Sequence, residues 1–216
     1  MPDETFLNFW IRRWQEARPQ LKTKDPYQAV CSGILIAETL IERGMQMAGA
    51  RVLDFGCGHG RATIGFLHYG ITDYLGLDVR VEAIEFASRL FAGQPGYRFE
   101  HFDAANYRYR KGQGKRQLSL PAQDNYFTLA LAVSVFTHEP GDAIVDYYLG
   151  ELWRVLIPGG ALLTTWLSCP PMDLQDKHWL VRTREDILRF IKSWRVLDSW
   201  GEGDLDSQWW VLTRKA

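Results

Sequence analysis

Three glycines at alternate positions, directly after a short apolar run, are the feature of this sequence that most restricts its fold. The run at residues 52–55 predicts a buried strand, and Gly56, Gly58 and Gly60 follow it. Glycine adopts backbone conformations that other residues avoid, and it lets a ligand approach the main chain closely. A glycine turn after a buried strand therefore predicts a ligand site at the carboxyl end of a parallel sheet.

The rest of the chain alternates between strand and helix patterns, and a last pair of strands is joined by a turn. Alternation predicts parallel strands, and the last pair predicts an antiparallel hairpin at one edge. We therefore predict an α/β fold: a doubly wound, mostly parallel seven-stranded sheet with an antiparallel C-terminal hairpin, helices on both faces and an N-terminal helical extension. The predicted strands are 52–55, 74–78, 97–101, 126–133, 161–166, 195–200 and 209–214, and the predicted helices between them are 62–69, 80–91, 142–156 and 184–194.

Two helices are predicted before the sheet. The first covers residues 6–14, where aromatic residues recur at helical spacing, and the second begins at Asp25 and Pro26, a typical cap and first turn. We predict two domains, an N-terminal helical cap over residues 1–48 and a ligand-binding domain over residues 49–216. The second helix has an apolar stripe formed by Val30, Ile34, Ala37, Leu40 and Ile41.

Composition excludes several classes of protein. The 25 basic and 26 acidic residues give a net charge of −1, which excludes a globally basic nucleic-acid binder. No apolar run approaches the roughly 18 residues that a membrane span needs. The acidic N-terminus differs from a signal peptide, and the three cysteines and five histidines show no disulfide or metal-ligand spacing. We therefore predict a cytoplasmic protein with no metal site and no membrane partner.

A second acidic residue, Asp78, ends the next predicted strand, where a carboxylate can accept hydrogen bonds from both hydroxyls of a ribose. The dinucleotide fingerprint G-x-G-x-x-G is not met, because Arg61 or Thr63 stands at its last position. Asp54 would place a negative charge near a pyrophosphate, and it suits a cation better. The residues thus favour S-adenosylmethionine, which has a ribose, a positive amine and no phosphate, over the nicotinamide cofactor of an oxidoreductase.

Over residues 50–167, the motifs and their order along the chain resemble those of the class I S-adenosylmethionine-dependent methyltransferases. The resemblance extends to the helix–Pro-Gly-Gly–strand element at residues 152–161. It implies that residues 49–216 form a methyltransferase domain, in which the glycine turn wraps the methionine part of the cofactor. The cofactor-binding residues that it implies are Asp54, Gly56, Gly58 and Gly60 of the turn, Asp78 and Val79 at the ribose, Asp103 and Ala104 at the adenine, and Val133 and Ser134 at the methyl end.

Departures from the motifs of some family members narrow the range of possible methyl acceptors. The Asn/Asp-Pro-Pro-Tyr motif of amino-methylating enzymes is absent, and so is the catalytic cysteine loop of cytosine-C5 enzymes. The Ser134–His138 run also occurs in members linked to sugar or glycan methylation. The resemblance therefore implies a small-molecule or glycan acceptor and a hydroxyl as the atom that is methylated. The alternative is a non-catalytic S-adenosylmethionine-binding or scaffold protein.

His138 is the candidate general base, because it follows the fourth predicted strand at the sheet end that holds the cofactor. The alternative is a loop residue that only bonds the backbone or packs on the cofactor. Tyr27, Trp166 and Trp179 are candidate substrate-binding residues, since aromatic faces suit sugar rings and other flat acceptors.

Other aromatic and basic residues have two interpretations each. Trp10 and Trp14 either cap the cofactor pocket or pack on the sheet. The basic segment 108–116 predicts a solvated loop, with contact to an anionic acceptor or to RNA as the alternative. Trp209 and Trp210 look like an exposed edge able to pair with another chain.

Overall fold

The computed structural model describes residues 2–17, 25–104, 119–138, 141–167, 181–201 and 208–216. These ranges contain seven strands, six α-helices and a 3-10 helix, Phe136–His138. The strands are β1 Arg51–Phe55, β2 Asp73–Asp78, β3 Tyr97–His101, β4 Phe127–Ala132, β5 Leu156–Leu167, β6 Trp194–Trp200 and β7 Gln208–Lys215. The α-helices are α1 Glu4–Glu16, α2 Pro26–Glu42, α3 Arg61–His68, α4 Val81–Leu90, α5 Asp142–Val155 and α6 Arg184–Phe190.

The strands form a seven-stranded sheet that is mostly parallel and ends in an antiparallel hairpin, as predicted. The chain divides into two compact units, Met1–His101 and Phe102–Ala216. The first contains parallel strands in the order β3-β2-β1, and the second contains the order β4-β5-β7-β6. The predicted domains 1–48 and 49–216 stay a prediction.

In the first unit, a glycine at the centre of β2 brings the neighbouring residues close. Gly76 lies opposite Asp54 of β1 and Phe99 of β3. A Cβ atom at Gly76 would lie 2.7 Å from the Phe99 ring and 2.9 Å from the Cys57 sulfur. Cys57, which follows Gly56 in the glycine turn, therefore packs directly on β2, and this contact fixes the turn to the sheet.

The N-terminal helices belong to the core of the first unit. The cap is confirmed, because the Asp25 carboxylate accepts a 3.0 Å hydrogen bond from the Tyr27 N–H at the start of α2. Trp10 and Trp14 are both 3% exposed and belong to a buried cluster that includes Phe86 and Phe91. The Trp10 ring lies 5.2 Å from the ring of Phe91, which follows the last residue of α4. The Trp14 ring lies 5.2 Å from the ring of Phe86, which is within α4.

One residue of the predicted α2 stripe does not belong to it. Ile41 is 36% exposed, whereas Leu40 beside it is fully buried. Successive residues project about 100° apart around a helix, so only one of two neighbours can sit at the centre of the buried face.

In the second unit, β4 and β5 are parallel, while β7 runs antiparallel to both β5 and β6. The predicted hairpin is thus confirmed, but the prediction of an exposed edge at residues 209–210 was wrong. Trp209 is 2% exposed, and β7 lies between β5 and β6. Its backbone groups pair with strands on both sides, and β6, not β7, is the last strand in the order.

The Pro-Gly-Gly element differs from its prediction as a helix stop followed by a strand at residue 161. The helix α5 already ends at Val155, and β5 begins at Leu156, which pairs with Phe127. Leu129, two residues on, pairs with Ala161. The residues between Leu156 and Ala161 therefore bulge out of the ladder, because proline lacks the N–H that regular pairing uses.

The last helix is also shorter than predicted. The predicted helix 184–194 ends at Phe190, and β6 starts at Trp194. Trp194 pairs with Lys215 of β7, and its N–H donates a 2.8 Å hydrogen bond to the Ile191 carbonyl. Strand pairing thus overrides the helical pattern in the final turn.

The predicted acceptor-binding residue Trp179 and the predicted basic segment 108–116 lie outside the described residues, as does one of the three cysteines, Cys169. Among the residues that are described, Cys31 and Cys57 are free thiols. No helix in the described ranges combines the length and the apolar composition needed to cross a membrane. Within the same ranges, no group of three or more His, Cys, Asp and Glu residues is arranged to hold a metal ion.

Candidate functional site

The turn after β1 has a backbone that requires glycine. Gly56, Gly58 and Gly60 have φ angles of 87°, 56° and 80°, in the left-handed region that side chains disfavour. At Gly60, a Cβ atom would also lie 2.5 Å from the Phe91 ring. The backbone conformation therefore explains the glycines at all three positions, and close packing against Phe91 is a second reason for glycine at position 60.

Backbone hydrogen bonds tie this turn to the end of β2. The N–H groups of Gly56 and Cys57 both donate to the Leu77 carbonyl, at 2.7 and 2.9 Å. The Gly60 N–H donates to the Cys57 carbonyl at 3.0 Å and closes the turn. The turn is thus held beside Asp78, the residue after Leu77.

Asp78 is 8% exposed, and each of its oxygens accepts one backbone hydrogen bond. The Gly58 N–H donates to Oδ2 at 2.7 Å, and the Arg80 N–H donates to Oδ1 at 2.9 Å. The Arg80 side chain adds an ion pair at 3.5 Å from Oδ1. A carboxylate has about four acceptor positions, so the two backbone bonds leave capacity for two further donors. This arrangement fits the vicinal hydroxyls of a ribose.

Asp54, 3% exposed, accepts a 2.5 Å hydrogen bond from the hydroxyl of Tyr74. Burial raises the pKa of Asp54 to about 6; the Tyr74 hydrogen bond and the positive charge of Arg61 oppose the rise, and Asp78 adds to it. Burial likewise lowers the pKa of Arg61. An additional cation beside Asp54 would favour its charged form, so this carboxylate suits a positively charged amine.

Two predicted contacts of the adenosine part follow the ends of β2 and β3. In the first unit, Val79 is half-buried, and its carbonyl oxygen lies 3.1 Å from His101 Nε2. In the second unit, Asp103 is half-buried and Ala104 is 5% exposed. The Ala104 N–H donates a 2.7 Å hydrogen bond to the Phe102 carbonyl, within a tight turn of its own.

Directly after β4, the chain adopts a strained conformation. Val133 is half-buried, and Ser134 has a φ of 59°, which is uncommon for a residue with a side chain. The Ser134 N–H donates to Thr165 Oγ1 at 2.7 Å, and Gln208 Nε2 donates to Ser134 Oγ at 3.4 Å. Side chains from β5 and β7 thus hold the turn that leads into the 3-10 helix.

The 3-10 helix carries His138, which is 6% exposed. The His138 N–H donates to the Val135 carbonyl at 3.0 Å and closes the helical turn. Arg182 Nη1 donates to the Phe136 carbonyl at 2.9 Å. The second unit therefore brings Val133, Ser134 and His138 together on one short segment.

The candidate substrate-binding residues have different surroundings. Trp166 is 1% exposed, and its ring stacks with those of Phe136 and Phe190 at centroid distances of 4.9 and 6.0 Å. Its indole N–H donates to Thr164 Oγ1 at 2.8 Å. Tyr27 is 56% exposed in the first turn of α2. Trp166 thus backs the 3-10 helix from within the core, whereas Tyr27 offers an open face.

Sequence reasoning missed four residues that hold the site: Tyr74, Arg80, Thr165 and Arg182. Only Arg80 had a local signal, because an aspartate often accepts a hydrogen bond from the backbone N–H two residues later. The other three act on partners 20, 31 and 46 residues away. No spacing rule connects residues at such separations.

The fold and the first-unit site define an α/β protein of the Rossmann-like class that binds a nucleoside cofactor at the carboxyl ends of parallel strands. Residues 53–164, 112 of the 216, match the family model described as a methyltransferase domain. The chain belongs to this family and is a class I S-adenosylmethionine-dependent methyltransferase. Asp78 fits the ribose of S-adenosylmethionine, its cofactor, and Asp54 fits the positive charge.

Solved structures share this fold. A protein from Pyrococcus horikoshii OT3, PH0226, aligns with a TM-score of 0.67 and 16% identity, covering 90% of this chain and 93% of its own. Magnesium protoporphyrin IX methyltransferase from Synechocystis PCC 6803, with bound S-adenosylhomocysteine, aligns at 0.65 and 14%, covering 99% and 100%. The [4+2]-cyclase SpnF aligns at 0.63 and 18%, covering 84% and 81%. At these identities the likeness shows the fold alone.

Proposed function

We propose that this methyltransferase acts on a hydroxyl of a small molecule or glycan and that His138 is the general base. The proposed cofactor contacts are those named from the sequence: Asp54, Gly56, Gly58, Gly60, Asp78, Val79, Asp103, Ala104, Val133 and Ser134. The observation that carries the proposal is the placement of His138. This buried imidazole lies on a 3-10 helix that begins two residues after Ser134, the strained residue after β4.

When bound, S-adenosylmethionine supplies a methyl group on a sulfonium that leaves readily, so the enzyme mainly has to position the acceptor and exclude water. A hydroxyl must lose its proton as it is methylated. A histidine suits that step because its ordinary pKa is close to neutral pH. His138 would take this proton from the acceptor.

Tyr27 and Trp179 remain the proposed acceptor-binding residues, whereas the burial of Trp166 leaves its ring no open face for an acceptor. The ring of Tyr27 is open enough to stack on a sugar or another flat acceptor. Trp166 has a more indirect part in the proposal, since its stacked ring supports Phe136 on the helix that carries His138. Its contribution would be to fix the acceptor side of the site.

Calorimetric titration with S-adenosylhomocysteine tests the cofactor site first. The wild type is expected to bind tightly, and Asp78→Ala is expected to abolish binding. A well-folded wild type that does not bind would contradict the proposed contacts.

Turnover then tests the acceptor and the base. Methyl-labelled S-adenosylmethionine is incubated with a panel of hydroxyl-bearing small molecules and glycans, with amine-bearing analogues alongside. We expect label on a hydroxyl compound and its loss with His138→Ala. Label confined to amines, or unchanged turnover by His138→Ala at every pH, would contradict the proposal. Cofactor binding without turnover of any compound would favour a non-catalytic binding protein instead.

A further inference from the structure

Two side chains from outside the segment 133–138 hold its backbone at two points. Thr165 accepts from the Ser134 N–H at its start, and Arg182 donates to the Phe136 carbonyl two residues later, at 2.7 and 2.9 Å. A short 3-10 helix leaves most of its carbonyls without partners inside the helix. The Arg182 bond gives the Phe136 carbonyl a donor from outside the helix.

Arg182 is itself held on several sides. Its backbone N–H donates to the Leu167 carbonyl at 2.9 Å, next to the parallel bridge between Leu167 and Val181. Its guanidinium lies 5.4 Å from the centre of the Phe190 ring, and Nη2 lies 3.5 Å from an Asp142 oxygen. Only 9% of the side chain is exposed.

A buried guanidinium is costly unless several groups compensate its desolvation. Arginine can stack its planar face on an aromatic ring while donating hydrogen bonds in two directions, and lysine cannot. Arg182 uses this property to lie over the ring of Phe190 while it donates a hydrogen bond to the carbonyl of Phe136. Through its backbone bond to Leu167 and its side-chain bond to Phe136, Arg182 thereby connects the end of β5 with the helix that carries His138.

We propose that Arg182 is a positioning residue that fixes the 3-10 helix Phe136–His138, and through it the His138 imidazole, to the end of β5. This inference rests on the proposed function only for the chemical part played by His138. The positioning itself concerns the described contacts of the second unit.

Arg189 provides a matched control. It pairs with the same aspartate, Asp142, at 3.2 Å, and its guanidinium lies 5.4 Å from the centre of the same Phe190 ring. Its side chain is 59% exposed, against 9% for Arg182. The difference on which the proposal depends is the bond from Arg182 to the Phe136 carbonyl.

The test is amide hydrogen exchange of the full-length protein, comparing Arg182→Met, Arg182→Lys and Arg189→Met with the wild type. Arg182→Met is expected to speed exchange across residues 134–138 by at least about tenfold, since a hydrogen bond to a charged donor is lost. Exchange in β5 at residues 162–164 is expected to stay within about twofold, because that ladder does not depend on Arg182.

The other two variants separate positioning from general stability. Arg182→Lys is expected to restore part of the protection, because an ammonium can still donate to one carbonyl, and Arg189→Met is expected to leave residues 134–138 unchanged. Unchanged exchange at 134–138 in Arg182→Met would overturn the proposal. An equal rise at 134–138 and in β5 would also overturn it, because it would show global destabilisation.

The proposed function can be contradicted independently of the role proposed for Arg182. Full turnover by His138→Ala would remove His138 as the base and leave the hydrogen-exchange result, and so the attachment of the helix by Arg182, in place. Local loss of protection in Arg182→Met together with loss of turnover in His138→Ala supports both.

Discussion

The hydroxyl of Tyr74 donates a 2.5 Å hydrogen bond to the carboxylate of Asp54, and both side chains are buried. In the pairing of β1 with β2, Asp54 lies opposite Gly76, which has no side chain, while Tyr74 lies two residues earlier on β2. Burial raises the pKa of both groups. The acid beside the glycine turn therefore changes its charge near pH 6, and the properties of the site depend on pH.

Asp54→Asn is expected to remove one pH dependence of stability. The folded-state pKa of Asp54, about 6, lies above the ordinary value of 3.8, so the folded protein binds the proton of this carboxyl group more tightly than the unfolded chain does. The resulting stabilisation is complete below the ordinary pKa and is lost as pH rises through about 6. Its size is up to about 3 kcal/mol. Urea unfolding between about pH 4 and pH 7 should show the wild type losing stability relative to the variant. A difference that stays constant with pH would contradict this assignment.

Tyr74→Phe changes the same titration in a predictable direction. The Tyr74 hydrogen bond lowers the pKa of Asp54, so its removal should raise that pKa above the present value of about 6. The loss of stability, measured in the same urea series against a Tyr74→Phe/Asp54→Asn double variant, should extend to higher pH. If the pH range over which stability is lost moved to lower pH instead, Tyr74 would not stabilise the carboxylate.

Asp78→Asn is expected to weaken S-adenosylhomocysteine binding by about 30-fold or more, since charge-assisted hydrogen bonds to the ribose lose their charge. Asp73→Asn is the matched control, because Asp73 begins the same strand but pairs at 3.2 Å with Arg98, whose side chain is 53% exposed. That variant should change the affinity by less than about twofold. Calorimetric titration gives both values, and equal losses would show that Asp78 has no special part in binding.

Two glycine-to-alanine changes in helices should have opposite effects on stability. A Cβ at Gly33 of α2 would lie 2.0 Å from the Arg61 carbonyl oxygen, so Gly33→Ala forces α2 and α3 apart. We expect a loss of about 1–3 kcal/mol. Gly150 of α5 has open space around its Cβ position, and Gly150→Ala should stabilise by about 0.5–1 kcal/mol. Urea unfolding measures both, and a destabilising Gly150→Ala would contradict the prediction.

Lys215→Met is expected to lower the free energy of unfolding by about 2–4 kcal/mol, because it leaves buried carbonyls without a donor. The Lys215 ammonium donates to the carbonyls of Trp153 and Leu156 and to the Asn125 side chain, at 2.8, 2.6 and 2.8 Å. Lys192→Met, at an exposed position, serves as the control and should change stability by less than about 0.5 kcal/mol. Similar losses in thermal or urea unfolding for both variants would refute the role of Lys215.

Much of the fold was predictable because its signals are local. The predicted β3 has the observed bounds, and the β1 and β2 predictions each began one residue late. The Asp25-Pro26 cap was also correct. Apolar periodicity and capping act within a few residues, so a single sequence contains them. The errors at β5 and α6 arose where pairing with another strand decided the outcome, at Leu156 and Trp194.

The sequence by itself determined the α/β class, the order of the elements, and the turn in which Gly56, Gly58 and Gly60 lie beside the acid that ends β2. Those features depend on local conformation and on the strand–helix alternation. Only the tertiary structure decided that Tyr74 holds Asp54, that Arg182 holds the helix of His138, and that Trp166 is buried. Contacts between residues far apart in the chain follow from how the elements pack, and packing leaves no fixed spacing in the sequence.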